Sequence, residues 1–399
     1  MKGLIRLLVV GSLLALGLVF TACGGSDEAA STSGGGGTTA AAEPSGEPVK
    51  VGVIAPVNAP TLSLPDVVAA AQIAERSVNA AGGVDGRPLQ VVTCDDKDNP
   101  QQAAVCARKL LDDDGVTMLV GGFTQHVASV YPALAQADTI WFGDNPTQPA
   151  DVQNPRSYPF GPGFTAFSAL FQLVPEGTED IAYLAYESPV SKGIVEAAQG
   201  GLLPAGATLT PVYAPFTTVD FKPLCLRAQQ ANASVVFTGF APGVTGKALQ
   251  ACAQAGLEDA TYMLGSVTLN PQDVSLIDGL GLETTVAIAF HGPRVEQWHE
   301  DLEAYGDEIE VKDPLADNNV NTYAAITLAA EVFAQAGDDP AAIKAYLDEQ
   351  SAFETGYTPT LDLSKPGEGA PRQFNTSVLP GTIEDGEIVP TSDEYVSGS

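Results

Sequence analysis

From residue 49 onward the chain alternates short β-branched runs with apolar stripes at helical spacing, the pattern of parallel strands crossed over by helices. Val51-Gly52-Val53-Ile54-Ala55 reads as a buried strand. Behind Pro65, the residues Val67, Ala71, Ala74 and Val78 form one helix face, which Gly82-Gly83 ends. A strand at 89–92, a helix opened by Asn99-Pro100, a strand at 116–121, a helix from about His126 and a strand at 139–142 continue the alternation. A proline-rich stretch, 146–162, then breaks the rhythm. After it come strands at 181–186, 209–213, 234–238, 262–264 and 285–290, interleaved with helices at 191–200, 223–231, 243–255 and 271–277. Helices at 295–305, 319–336 and 340–349 follow, and 358–389 reads as short strands with glycine turns. The predicted fold is α/β, with two doubly wound, Rossmann-like lobes that echo one another.

The first 22 residues depart from this pattern. Lys2 and Arg6 precede an apolar run at 7–20, and small residues lead into Cys23, the form of an export signal. Gly11, Ser12 and Gly17 interrupt the run, and no basic stop follows it, so cleavage fits better than a membrane span. Phe20-Thr21-Ala22-Cys23 resembles a bacterial lipobox, with Phe20 where leucine is usual; the resemblance implies lipid on Cys23 and a membrane-anchored, extracytoplasmic protein. Residues 23–48 are rich in Gly, Ser, Thr and Ala and read as a flexible tether, whose roughly 24 free residues reach about 25 to 30 Å.

The chain has 399 residues, 18 basic and 49 acidic, for a net charge of −31, which argues against a nucleic-acid partner. Three histidines and five cysteines give a metal site little material, and no metal or cofactor is expected. With Cys23 set aside, the other cysteines form two sequence-local pairs, Cys94 with Cys106 and Cys225 with Cys252. Three pairings are open in principle, and neighbouring elements bring the local ones within reach in an oxidising compartment. Gly243-Val244-Thr245-Gly246-Lys247-Ala248 is not a phosphate loop, because its glycines are too close together and Ala248 lacks the hydroxyl. Neither a Gly-x-Ser-x-Gly elbow nor a His-Glu-x-x-His helix occurs. An enzyme is therefore not expected.

A set of stretches resembles the leucine/isoleucine/valine-binding class of ABC-transporter substrate-binding proteins, of the type I periplasmic-binding-protein fold. They are residues 78–87 (VNAAGGVDGR), Asp95-Asp96, Asn99-Pro100-Gln101-Gln102-Ala103, Val120-Gly121-Gly122-Phe123-Thr124, Thr147-Gln148-Pro149 and residues 319–325 (NVNTYAA). The resemblance implies two lobes joined by three crossover strands, closing by a hinge on a small amino-acid-like or other small polar organic solute in the cleft between them. It assigns 49–163 with 291–352 to lobe 1 and 164–290 with 353–395 to lobe 2. An ABC permease is the implied partner, of a protein acting as a monomer. A receptor reporting to a membrane signalling partner is the alternative.

Ligands in open α/β sheets bind beyond the carboxyl ends of the strands, so the loops there carry the candidates. In lobe 1 these are Asn58, Phe123, Thr124, Gln125, Asn145 and Thr147; in lobe 2 they are Ser188, Phe240 and Ser266. Thr124, Asn145 and Thr147 match positions that the family uses for an amino acid's carboxylate and ammonium. The family also places an acid on the last of these loops, where this chain has Ser266-Val267. A buried ammonium without a counter-charge is costly, which argues against an ordinary zwitterionic amino acid unless Asp144 substitutes. Trp141 and Tyr186 read as cleft wall or core, and His126 as a first-turn helix residue.

Overall fold

The computed structural model describes residues 43–59, 62–146, 148–367 and 369–398. The predicted export signal, Cys23 and most of the tether lie outside the described residues, as does Thr147. Two sheets organise the body. The first holds β1 (Val49–Ala55), β2 (Leu89–Asp95), β3 (Met118–Val120), β4 (Trp141–Phe142) and β5 (Ser157–Tyr158), all parallel, in the order β2-β1-β3-β4-β5. Parallel strands must be covered on both faces, and the apolar runs read from the sequence do this. On one face α1 (Pro65–Ala80) packs with α10 (Pro293–Tyr305), α11 (Asp317–Ala336) and α12 (Pro340–Asp348). On the other lie α2 (Pro100–Arg108) and α3 (Val127–Gln136).

The second sheet holds β6 (Asp180–Tyr186), β7 (Thr208–Ala214), β8 (Val235–Gly239), β9 (Thr261–Gly265) and β10 (Thr284–Ile288), then β11 (Ser377–Glu384), β12 (Glu387–Pro390) and β13 (Val396–Ser397). Its order is β12-β11-β10-β9-β8-β6-β7, with β13 beside β11. The strands from β6 to β10 are parallel; β11 turns antiparallel on β10, and β12 on β11. The helices α7 (Lys222–Gln230), α8 (Thr245–Ala253) and α9 (Pro271–Leu280) cover one face. The other carries α6 (Pro189–Ala197) and α5 (Thr165–Gln172), the latter unforeseen from the sequence. The proline-rich stretch also contains β5 and a short helix, α4 (Pro149–Gln153), so the first sheet extends further than the strand at 139–142 predicts.

The chain passes between the sheets three times. The first passage lies between β5 and α5, and the second follows β10, where Ala289 and Phe290 already belong to the first core. The third differs from its expected place near 352–356. Phe353, Tyr357, Leu361 and Leu363 are buried in the first core, and Phe353 and Leu361 exchange backbone hydrogen bonds. Farther on, Arg372 lies over the Tyr158 ring and Phe374 stacks on it. Only at β11 does the chain join the second sheet. Residues 353–376, assigned to lobe 2 by the sequence reading, pack on the first lobe instead, because their apolar side chains complete a core that the helices leave open. The end of the expected tether is also tied down, Ser45 donating to the Gly86 carbonyl at 2.8 Å and Arg87 Nε to that of Glu47 at 3.0 Å.

Both local cysteine pairs are bonded. Cys94, within β2 and not beyond it as the shorter predicted strand has it, joins Cys106 of α2; Cys225 of α7 joins Cys252 of α8, with Cα atoms 4.8 Å apart. Cys225 and Cys252 are completely buried. The pair Cys225→Ser with Cys252→Ser is expected to lower the unfolding free energy by about 3 to 4 kcal/mol through loop-closure entropy. Urea titration of the double variant beside the oxidised parent checks this; coincident curves would remove the cross-link as a source of stability.

Candidate functional site

Each sheet reverses its strand order once, between β1 and β3 in the first and between β6 and β8 in the second, and the loops beyond those strands diverge to leave a crevice. In the first lobe the two loops are held by consecutive carboxylates at the end of β2. Asp95 accepts from the backbone N–H of Val57 and Asn58, from Asn58 Nδ2 and from the Lys97 N–H. Partial burial works against its charge, but these bonds outweigh it and hold the carboxyl below its usual range. Asp96, buried, accepts from the Thr124 hydroxyl and from the Asp98 N–H, and burial pushes its carboxyl up. The Asp95 carboxylate thus fixes the loop after β1, and Asp96 the loop after β3.

The second of these loops turns on Gly121 and Gly122, both left-handed with φ of 54° and 77°. A Cβ on Gly122 would stand 2.5 Å from the Ile54 carbonyl oxygen, so only glycine lets the loop lie this close to β1. The result presents Phe123 at the mouth of the crevice. On one side of Phe123 opens a cavity of about 700 Å³, walled by Gln125, Gln148 and Pro149 from the first lobe and by α5 and α6 from the second, through Phe164, Phe167, Val190 and Ile194. On its other side is a cavity of about 440 Å³, lined by 62–66, Pro242, Val267, 312–313 and 316–319, including Asp66, Lys312, Asp313 and Asp317.

Asp317, in the first turn of α11, meets Ser266 at the end of β9, the hydroxyl donating to the carboxylate at 3.0 Å. Ser266 Oγ also accepts from the Ala289 N–H at 3.3 Å, so α11 of the first lobe, the loop after β9 and the second crossover converge on one hydroxyl. Burial pushes the Asp317 carboxyl up to about 7, with repulsion from Asp313 adding to it and the Ser266 bond opposing it. Asp313 is itself raised to about 6, by burial and then by Asp66. The acid missing from the loop after β9 is thus supplied to that loop from α11. Asp144 does not take that place. It lies buried beside Asp151, accepting from Ser157 Oγ at 2.6 Å and from the Tyr131 hydroxyl, and burial and Asp151 hold its carboxyl well above the usual range.

Of the sequence-predicted residues, Phe123 and Gln125 line the larger cavity. Thr124 lines neither cavity, its hydroxyl held by Asp96. Asn58 is bound to Asp95, and Asn145 donates to Asn318 Oδ1 at 2.6 Å, behind the smaller cavity. Ser188 caps α6 by accepting from the Ser191 N–H. Phe240 is buried, packed edge-on to Tyr186 and Phe221. Trp141 is core, its Nε1 donating to the Gly121 carbonyl at 2.7 Å. His126 Nε2 lies 3.3 Å from Asp98 Oδ1. The sequence reading missed the faces of α5 and α6. Their signal was present, since Ala166, Ala169 and Leu170 recur at helical spacing and leave Phe164, Phe167 and Ser168 on the opposite side. Among the described residues no cluster of three or more His, Cys, Asp or Glu is placed to hold a metal, and no helix is long and apolar enough to cross a membrane.

Two α/β lobes with their strand tips turned to a common cleft define a bilobal solute-binding protein. The sequence profile of the periplasmic binding protein family matches residues 48–373, and the chain belongs to that family. It is 27% identical over 353 residues to the leucine-, isoleucine-, valine-, threonine- and alanine-binding protein of Pseudomonas aeruginosa, covering 84% of this chain and 90% of the relative. The Leu/Ile/Val-binding protein of Escherichia coli K12 is 26% identical over 76% of this chain and 84% of its own length. Among solved structures, a leucine-binding protein from Thermotoga maritima superposes with a TM-score of 0.65 at 16% identity, over 88% of this chain and 99% of that one. A fatty acid ABC transporter substrate-binding protein from Thermomonospora curvata gives 0.67 at 12%, over 90% and 95%. The fold is thereby the type I periplasmic-binding-protein fold, and the protein is an extracytoplasmic solute-binding protein, not an enzyme.

The raised Asp317 carboxyl has a definite sign in stability. Its folded value exceeds the unfolded one, so between about pH 4 and 7 the folded state holds the extra proton, and this group's contribution falls as pH rises through that window. Asp313 on the same segment, with Asp66 and Asp273 facing it, adds to the slope, and among the described residues Lys312 is the one basic side chain lining that cavity. Asp317→Asn is expected to gain stability relative to the parent on going from pH 5 to pH 8. Denaturant midpoints at the two pH values measure it, and parallel pH profiles would show that Asp317 is not the group concerned.

Proposed function

We propose that the protein is a lipid-anchored solute receptor of an ABC importer, which captures a small organic solute by closing its two lobes and presents the closed form to a membrane permease. One observation carries this reading: a cavity of about 700 Å³ whose walls come from the loops of one lobe and from two helices of the other. Such a cavity changes shape when the lobes rotate, while both cores stay packed. The moving bodies are 49–163 with 291–376 and 164–290 with 377–398. Phe123 and Gln125 meet the solute from the first lobe, with Asn58, Thr124 and Asn145 shaping the loops around them. Ser188, Phe240 and Ser266 do the same in the second lobe. Relatives named for branched-chain amino acids support a transported solute of small size.

Cys23 carries the anchor, and the residues after it hold the body clear of the bilayer as a monomer. Cys23→Ser is expected to move the protein from the membrane fraction to the soluble fraction of the expressing cell. Mass spectrometry of molecules released on denaturing the freshly purified protein identifies the solute, and X-ray scattering with it added back should show a smaller radius of gyration. A saturated protein that does not contract would refute closure, and a Cys23→Ser protein still held in the membrane would refute the anchor.

A further inference from the structure

The larger cavity has a chemistry of its own. Its second-lobe wall is Phe164 just ahead of α5, Phe167 and Phe171 from α5, Val190 and Ile194 from α6, and Leu202. Among the described residues no charged side chain lines it; its polar side chains are the amides of Gln125 and Gln148 at the first-lobe rim and the hydroxyls of Thr165 and Ser168. Thr165 already donates to the Pro162 carbonyl at 2.6 Å, and Gln148 Nε2 to that of Gln125. The charged side chains of the cleft lie instead in the smaller cavity, across Phe123. Phe164 and Val190 are 37% and 48% exposed, an apolar surface that water covers unless a solute does.

Resting on the reading of this cleft as the solute site, we infer that the solute is uncharged and has a large apolar body, an acyl chain or an aromatic ring system, that lies between α5 and α6. An ionised group brought into this wall would lose hydration and find no counter-charge. An apolar body gains from the area it removes from water, and a volume of about 700 Å³ belongs to the range that holds drug-sized molecules. The rim amides offer both a donor and an acceptor to one or two polar groups. The strongly negative chain further disfavours an anion.

Gly193 allows the inference to be tested without disturbing the fold. It lies on α6 along the cavity wall, and a Cβ built there meets nothing within 4 Å. Gly193→Phe places a ring in the cavity and replaces the weakest helix former short of proline. Calorimetry on the full chain would use 1-decanol, decanoate and decylammonium, which share a body and differ in charge, with L-leucine beside them. Decanol is expected to bind at least about tenfold tighter than either charged homologue. The Gly193→Phe variant should lose about tenfold or more of that affinity at an unchanged melting temperature. Ile194→Trp repeats the occlusion should Gly193→Phe melt lower. No binding of decanol, equal binding of the charged homologues, or affinity untouched by both occluding variants would overturn the inference. If L-leucine binds and contracts both parent and variant, the receptor reading stands while the apolar solute falls.

Discussion

The hydrogen bonds made by Asp95 and Asp96 fix the geometry of the first lobe's crevice. These neighbouring carboxylates, at the tip of β2, each seize a different loop: the one after β1 through Val57 and Asn58, and the one after β3 through Thr124. A parallel sheet places its loops at the same edge but does not hold them; here the holding is done by charge-assisted bonds from backbone amides and a hydroxyl. With both loops fixed and Gly121-Gly122 folded against Ile54, Phe123 has one place to stand, and it divides the cleft.

That division separates two chemical environments over a short distance. On one side the walls are aromatic and aliphatic, and on the other they carry the acids of α1 and of the segment before α11. The acidic side is also where the lobes are joined, through Ser266, Asp317 and the Ala289 amide. A carboxyl raised by burial and placed at a helix start keeps a close polar contact between the lobes. The apolar side is lined from both lobes, by Phe123, Gln125, Gln148 and Pro149 on one hand and by the faces of α5 and α6 on the other.

Much of the architecture could be read from the chain, because strands buried on both faces and helices with a single apolar stripe leave strong periodic signals, as at 51–55 and along α1. What escaped had weak or contrary local signals. The strand β5 is two residues long, and α5 follows directly on a Pro/Gly-rich stretch that reads as a connection. Residues 353–363 bury four large side chains without helix or strand periodicity, so their lobe could not be inferred. In the cleft, Phe123 and Gln125 were legible from their place beyond β3. The fate of Thr124 was not, since its partner Asp96 is remote in sequence, and Asp317 reads in isolation as a solvated first-turn acid.

The three passages of the chain between the sheets have a consequence for how such a protein diversifies. Neither half is a contiguous gene segment, so a single recombination breakpoint or a single cut by a protease cannot exchange or liberate one half intact. Trading one half for that of a paralogue would require three simultaneous junctions, one in each passage between the sheets. New specificities are therefore reached by point changes on surfaces such as those of α5 and α6, which tolerate replacement because they face the gap and not a core.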